Sequence, residues 1–197
     1  MELKRLEVGS FENNCYVVSC AETGEAVIID PAAEAQKIIK EIKKKKVKFI
    51  LITHGHLDHI GALEEIRRET KALVGIHEGD SRALRQKADF FLGDGQALKF
   101  GNLEIKAIHT PGHTPGGVCF LIGKVLFSGD TLFPNGPGNT ALPGADYRKI
   151  LKSIHSKIFT LPNETVIYPG HGLETTVGRE KATKFYPFPE AAAGGNK

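Results

Sequence analysis

Cysteine is scarce in this chain of 197 residues: Cys15, Cys20 and Cys119 are odd in number, and none stands in a Cys-x-x-Cys spacing. That argues against a disulfide framework or a thiolate zinc site and suits a reducing cytosol. Long hydrophobic runs are missing too. No segment approaches the ~20 apolar residues needed to cross a bilayer. Met1-Glu2-Leu3-Lys4-Arg5 lacks the apolar stretch of roughly 7–15 residues that marks a signal peptide. A cytoplasmic protein with no membrane partner is expected. No charge dominates: the net charge is +3 and the pI is near 8.7. There is no arginine-rich patch interleaved with aromatics, so nucleic acid is not an expected partner and a small molecule is. Hydrophobic residues make up 41% of the chain, enough to bury a core in one domain over residues 1–190. Residues 191–197, Ala-Ala-Ala-Gly-Gly-Asn-Lys, are expected to fray.

The apolar pattern predicts strands at 2–8, 14–19, 25–29 and 47–52, then 72–76, 96–100, 103–109, 117–122, 124–128 and 165–168. Ala35, Ile38, Ile39 and Ile42 recur at helical spacing, as do Tyr147, Ile150, Leu151, Ile154 and Ile158 within 145–159. Further helices are expected from about Gly61 to Thr70, near 79–87 and over 178–186. The run Lys43-Lys44-Lys45-Lys46 reads as a solvated helix end, with cations at the negative pole of the helix dipole. Two halves resemble each other. Each runs strand, strand ending in Asp30 or Asp130, helix, strand ending in His54 or His171. This suggests two sheets packed face to face, helices outside, with polar strand ends meeting at one edge.

The densest chemistry is Thr53-His54-Gly55-His56-Leu57-Asp58-His59, directly after the apolar run 47–52. Three imidazoles and a carboxylate at the end of a buried strand need something to offset their desolvation, and a metal ion does that. Side chains two apart share a face in an extended chain, so His54, His56 and Asp58 could converge. A bend at Gly55 would send Asp58 and His59 towards a second ion. Three more candidates lie downstream. His113 sits in the rigid loop Thr110-Pro111-Gly112-His113-Thr114-Pro115-Gly116-Gly117, Asp130 follows Ser128-Gly129, and His171 follows Tyr168-Pro169-Gly170. His109 and Asp30 end strands nearby, where either could support a ligand imidazole; turn capping explains Asp30 equally well. His77 and His155 lie outside any motif.

Thr53-His54-Gly55-His56-Leu57-Asp58-His59, Thr110-Pro111-Gly112-His113-Thr114, Gly129-Asp130-Thr131 and Pro169-Gly170-His171 resemble the ordered motifs of the metallo-β-lactamase superfamily, and within it the glyoxalase II-like group of small hydrolases. The resemblance implies an α/β fold, a four-layer αβ/βα sandwich of two packed mixed sheets with helices on the outer faces. It also implies two divalent metal ions, one on His54, His56 and His113, the other on Asp58, His59 and His171, with Asp130 bridging. Asp130 stands where true β-lactamases commonly carry cysteine, which argues against antibiotic hydrolysis.

Imidazole and carboxylate donors without thiolate suit zinc, and also iron or manganese. Two such ions leave room for a bridging hydroxide, available at neutral pH because bound water acidifies to a pKa near 7. Asp58 is expected both to bind metal and to orient that nucleophile. The implied activity is thioester hydrolysis of an S-acyl thiol such as S-lactoylglutathione. The alternatives are a persulfide dioxygenase, using one iron on His54, His113 and Asp130, and a non-catalytic metal-stabilised interaction protein. The glutathione-binding C-terminal helical region of the classical enzymes is essentially absent, since 26 residues follow His171. Asn139 stands where a basic residue is common; Arg179, Lys181 and Lys184 are candidates to meet an anionic substrate, although a solvated helix face explains them as well.

Overall fold

Ten of the fourteen strands among the described residues were legible as apolar runs because their side chains are buried on one or both faces, and with two short strands they assemble into two six-stranded mixed sheets. The computed structural model describes residues 1–187; the fraying expected of 191–197 and the last residues of the expected domain lie outside the described residues. The first sheet holds β1 (Glu2–Val8), β2 (Asn13–Ser19), β3 (Glu25–Ile29), β4 (Lys46–Leu51), β5 (Leu73–Ile76) and β6 (Phe90–Phe91) in sequence order. The second holds β7 (Ala97–Phe100), β8 (Leu103–His109), β9 (Val118–Ile122), β10 (Val125–Gly129), β13 (Val166–Pro169) and β14 (Thr175–Thr176), in the spatial order β14-β13-β10-β9-β8-β7. Between β10 and β13 a small hairpin pairs β11 (Leu132–Phe133) with β12 (Gly136–Pro137).

Three apolar layers make this a four-layer sandwich. Tyr16, Val27, Ile29, Leu51, Phe120 and Phe127 fill the space between the sheets. Ile28, Ile38, Ile50 and Ile66 seal the outer face of the first sheet under α1 (Ala35–Ile42) and α3 (Leu63–Thr70). Leu126, Ile150, Leu151, Ile154 and Ile167 do the same for the second sheet under α4 (Tyr147–Ser153), which runs on through a π turn, Ile154–Ile158. Successive β3 residues therefore point into different layers, Val27 and Ile29 inward and Ile28 outward. A strand buried on both faces reads as an unbroken apolar run for this reason.

The likeness of the two halves is carried by topology. β2 and β3 are antiparallel, and β3 and β4 are parallel; β9, β10 and β13 repeat that pattern. Cys15 and Cys119 occupy equivalent, fully buried places in the two halves. Because β3/β4 and β10/β13 are each parallel, their C-terminal ends emerge on one edge, with Ile29 beside Leu51 and Gly129 beside Pro169.

Some local expectations differ. The helix expected from about Gly61 to Thr70 begins at Leu63, as α3, and a short helical turn, α2 (Leu57–Ile60), precedes it; between them the Ala62 N–H donates to Pro31 O at 3.0 Å. The helix expected near 79–87 is a shorter 3₁₀ segment, Glu78–Ala83. The last helix, α5, runs only Val177–Lys181; Thr176 caps its start and three-residue hydrogen bonds at Ala182 and Thr183 close it. Strands β6, β11, β12 and β14 span two residues each, too few for an alternation to be legible. No helix of the described residues is long and apolar enough to cross a membrane.

Candidate metal centre

The shared strand edge collects the polar motifs. β3 delivers Asp30, β4 delivers Thr53 and His54, β8 leads to the His113 loop, β10 delivers Asp130, and β13 delivers His171. Side chains at the C-terminal ends of parallel strands are free of sheet pairing yet held by it. Gly129 makes the last step into Asp130 in the left-handed region (φ +48), and a Cβ there would lie 2.5 Å from Thr53 Oγ1. Only glycine fits between the two strand ends.

His54, His56 and His113 bring one ring nitrogen each to a common point. His56 Nδ1 lies 3.1 Å from His54 Nε2 and 3.0 Å from His113 Nε2. The far nitrogens of two of them are committed as donors. His113 Nδ1 donates to Asn139 O at 2.7 Å. Thr53 Oγ1 donates to Asp30 Oδ2 at 2.5 Å, so the same hydroxyl accepts from His54 Nδ1 at 3.0 Å. Both Nε2 atoms therefore turn lone pairs into the cluster. Acceptors at such distances repel unless a cation lies among them. Burial lowers the pKa of His54 well below its ordinary value, with the neighbouring imidazoles adding to it. Burial also lowers that of His56, with His113 contributing. Neutral imidazoles are what a metal requires.

The second group is Asp58, His59 and His171, whose ligand atoms lie within 4.8 Å of one another. His59 Nδ1 meets Asp30 Oδ2 at 3.0 Å and His171 Nδ1 meets Phe11 O at 2.8 Å, so their Nε2 atoms, 3.3 Å apart, again face each other as acceptors. The short α2 turn makes this grouping. His54 and His56 converge as alternation predicts, but the chain becomes helical at Leu57 and swings Asp58 and His59 to the other group. Gly55 serves close approach rather than a left-handed bend: a Cβ would be 2.8 Å from Ala83 Cβ. His171 holds the Asp58 carboxyl well below the usual carboxylate range, and that contact raises the pKa of His171. Burial opposes a charged His59, but Asp30, Asp130 and Asp58 outweigh it and raise its pKa to about 9, so a metal ion taking its Nε2 displaces a proton.

Asp130 stands between the groups, with Oδ2 3.5 Å from His113 Nε2 and Oδ1 3.4 Å from His59 Nε2. Its buried Oδ1 has no hydrogen-bond partner. An orphaned carboxylate oxygen, two sets of converging lone pairs and two carboxylates together fit a pair of divalent cations. Gly170 completes the cradle. A Cβ there would lie 2.2 Å from Asp130 Oδ1 and 2.7 Å from His59 Cε1. Gly170→Ala is therefore expected to cut metal binding at least ~10-fold with the fold kept; circular dichroism beside a competitive chelator titration would show it.

Several supporting residues escaped the sequence reading. Asp80 is buried in the 3₁₀ segment, and its carboxylate accepts from Gly55 N (3.0 Å), Thr114 Oγ1 (2.6 Å) and Gly116 N (2.8 Å). It clamps the His54/His56 loop to the His113 loop. Asn13, the first residue of β2, donates to Asp58 Oδ2 at 3.0 Å. Asp80 stands among exposed residues, so nothing local marked it. Asp30 takes up a left-handed conformation, φ +50, which Asp tolerates better than most, and so accepts from Thr53 N, Thr53 Oγ1 and His59 at once.

Other expected site residues stand elsewhere. Asn139 contributes its carbonyl, not its side chain, which turns back to accept from Ala141 N at 2.9 Å. Lys181 Nζ lies 3.2 Å from Asn163 Oδ1, before β13, at the end of the strand opposite His171; Arg179 lies 3.9 Å from Glu180 on the same short helix. Neither is brought to the cluster. His109 stacks on His77 at 3.9 Å and bonds Pro115 O at 3.0 Å, so it braces the His113 loop without touching a ligand imidazole.

Comparison with known proteins places these features in context. A sequence model described as the metallo-beta-lactamase superfamily matches residues 8–171. The chain is 36% identical over 210 residues to the hydroxyacylglutathione hydrolase GloC of Haemophilus influenzae, covering 95% of this chain and 98% of that one. It is 34% identical over 177 residues to the mitochondrial persulfide dioxygenase ETHE1 of Mus musculus, covering 85% of this chain and 68% of that one. The crystal structure of BLEG-1, titled a B3 metallo-beta-lactamase, superposes with a TM-score of 0.88 at 34% identity, over 96% of this chain and all of that one.

Proposed function

The chain belongs to the metallo-beta-lactamase superfamily, and from that premise we propose that it is a binuclear metal-dependent hydrolase acting on a thioester. The observation that carries this reading is that Asp130 joins two complete donor groups, His54/His56/His113 and Asp58/His59/His171. Bound there, two divalent ions would lower the pKa of a water and polarise a carbonyl oxygen. Zinc suits the donors, as do iron and manganese.

The chain's own residues supply order and proton handling. Asp30, Thr53, Asn139 O and Phe11 O fix the imidazole tautomers, so the donor atoms need no rearrangement when the site is used. Asn13 holds Asp58 so that one carboxylate oxygen is engaged while the group, only part-buried, can orient a water. A thiolate leaves without protonation, so no general acid is demanded. No cysteine nucleophile is available at the cluster: Cys15 and Cys119 sit in the core, and burial pushes the Cys119 thiol up to about 11. The three free thiols fit a cytoplasmic setting.

The likeness to ETHE1 favours a second reading, a single-iron persulfide dioxygenase on His54, His113 and Asp130. The two readings part in one assay. The hydrolase reading expects the metal-loaded protein to release free thiol from S-lactoylglutathione or another acyl thiol, without oxygen uptake. Oxygen consumption on glutathione persulfide without thioester turnover would replace it with the dioxygenase. A β-lactam is the natural control, given the likeness to BLEG-1.

A further inference from the structure

The hairpin that leads Asn139 to His113 is too small to hold its own shape. Its strands are two residues each, Leu132–Phe133 and Gly136–Pro137. Pro137, paired with Leu132, has no N–H to give to the ladder. Even longer isolated hairpins are marginal in water. The turn between the strands adds a left-handed residue, Asn135 at φ +66. Yet the return strand is placed closely. A Cβ at Gly138 would run into Asp130 O and stand 3.3 Å from His113 Nδ1. The next residue, Asn139, puts its carbonyl on that nitrogen at 2.7 Å.

What holds the hairpin comes from the C-terminal side of β14. Glu180, fully buried, accepts from Asn135 N at 2.9 Å and from Thr175 Oγ1 at 2.5 Å. The Tyr186 hydroxyl accepts from Gly136 N at 3.0 Å and donates to Phe133 O at 2.5 Å. One phenol oxygen thus ties both strands of the hairpin. Tyr186 is itself anchored on the helical layer: its ring centre lies 5.3 Å from that of Phe159, and its carbonyl lies 3.1 Å from His155 Nε2. Glu180 and Tyr186 reach the metal cluster only through the hairpin.

Resting on the binuclear reading, we propose that Tyr186, backed by Glu180, is a positioning residue that fixes the β11–β12 hairpin so that Asn139 O aims His113 into the first donor group. The second group is braced from elsewhere: His59 by Asp30, His171 by Phe11 O and Asp58 by Asn13. Freeing the hairpin therefore acts on His113 and leaves His59 as it was. Tyr186→Phe does this with the ring kept, because it leaves Gly136 N and Phe133 O without their shared partner.

The test reads His113 directly. Long-range proton–nitrogen spectra of histidine-labelled, metal-free protein at about pH 8, above the ordinary histidine pKa, report each ring's tautomer. The wild type should hold the His113 proton on Nδ1. In Tyr186→Phe that signature should give way to a mixture of tautomers, with the His59 signals unchanged. Affinity for zinc at the first group should fall about 10-fold in a competitive chelator titration. Phe159→Leu is the control for lost stability, since it loosens the packing of the same ring without removing a hydrogen bond of the hairpin. It should lower the thermal midpoint and leave His113 and the zinc affinity as in the wild type. An unchanged His113 signature in Tyr186→Phe, or an equal change in Phe159→Leu, overturns the positioning role while the hydrolase reading stands. A wild type that binds no zinc sinks the hydrolase reading, and the spectra still decide what Tyr186 does to His113.

Discussion

Asp130→Ala will lower turnover by roughly a thousandfold or more, because it removes the one carboxylate shared by both donor groups. Substituting residues that only support metal ligands costs about 10–100-fold, and Asp130 stands closer than that, within 3.5 Å of ring nitrogens on either side. Without it, the two remaining sets of imidazoles face two dications with a single carboxylate, Asp58, to balance them. The variant should also separate metal effects from folding effects. A bound ion stabilises the folded state by mass action, so the holoprotein's thermal midpoint should fall in the variant while the metal-free midpoint moves far less. Differential scanning calorimetry with and without a chelator reads both. Equal losses in the two forms would make Asp130 a structural residue.

Asp80→Ala acts the other way, through the scaffold. It strips acceptors from Gly55 N, Gly116 N and Thr114 Oγ1 in a buried place. Leaving three such donors without partners costs about 3–5 kcal/mol. At roughly 2–4 °C per kcal/mol for a chain of this size, the thermal midpoint should fall by about 10 °C. The two histidine loops it joins carry His54, His56 and His113, so affinity for the first metal should drop about 10–100-fold as well. Urea unfolding of the metal-free variant, paired with a chelator competition, measures the two effects separately. Full affinity in a destabilised variant would show that the loops hold their spacing without the clamp.

How much of this was legible in the sequence depends on where each signal lives. Val27, Ile28 and Ile29 are apolar because the strand is buried on both faces, so the run itself declares a central strand. The ligands were legible because His54, His56, Asp58 and His59 crowd into one loop, and because Asp130 and His171 each follow an apolar strand and a glycine. The α2 turn was not legible. Four residues give no helical period; the motif resemblance already grouped Asp58 with His59 and His171, but the turn that carries it there could not be read. Asp80 and Asn13 were missed for a different reason. Each is a single polar residue whose partners lie 25 to 45 residues away in sequence, and nothing local distinguishes such a residue from a solvated one. Asn139 shows the converse: the position matters, but through a backbone carbonyl that any residue could supply. Arg179 and Lys181 carried the right charge on a short helix whose position in space could not be inferred from its sequence.

Metal content per chain, measured by elemental analysis on protein purified without added metal and again after dialysis against excess zinc, tests the central claim most directly. The seven residues gathered at the strand edge predict saturation at about two ions per chain, with thiol release from a thioester rising as the second ion binds. Saturation at a single ion, or turnover already complete with one, would contradict the binuclear centre; a single iron with oxygen uptake on a persulfide would put the dioxygenase in its place.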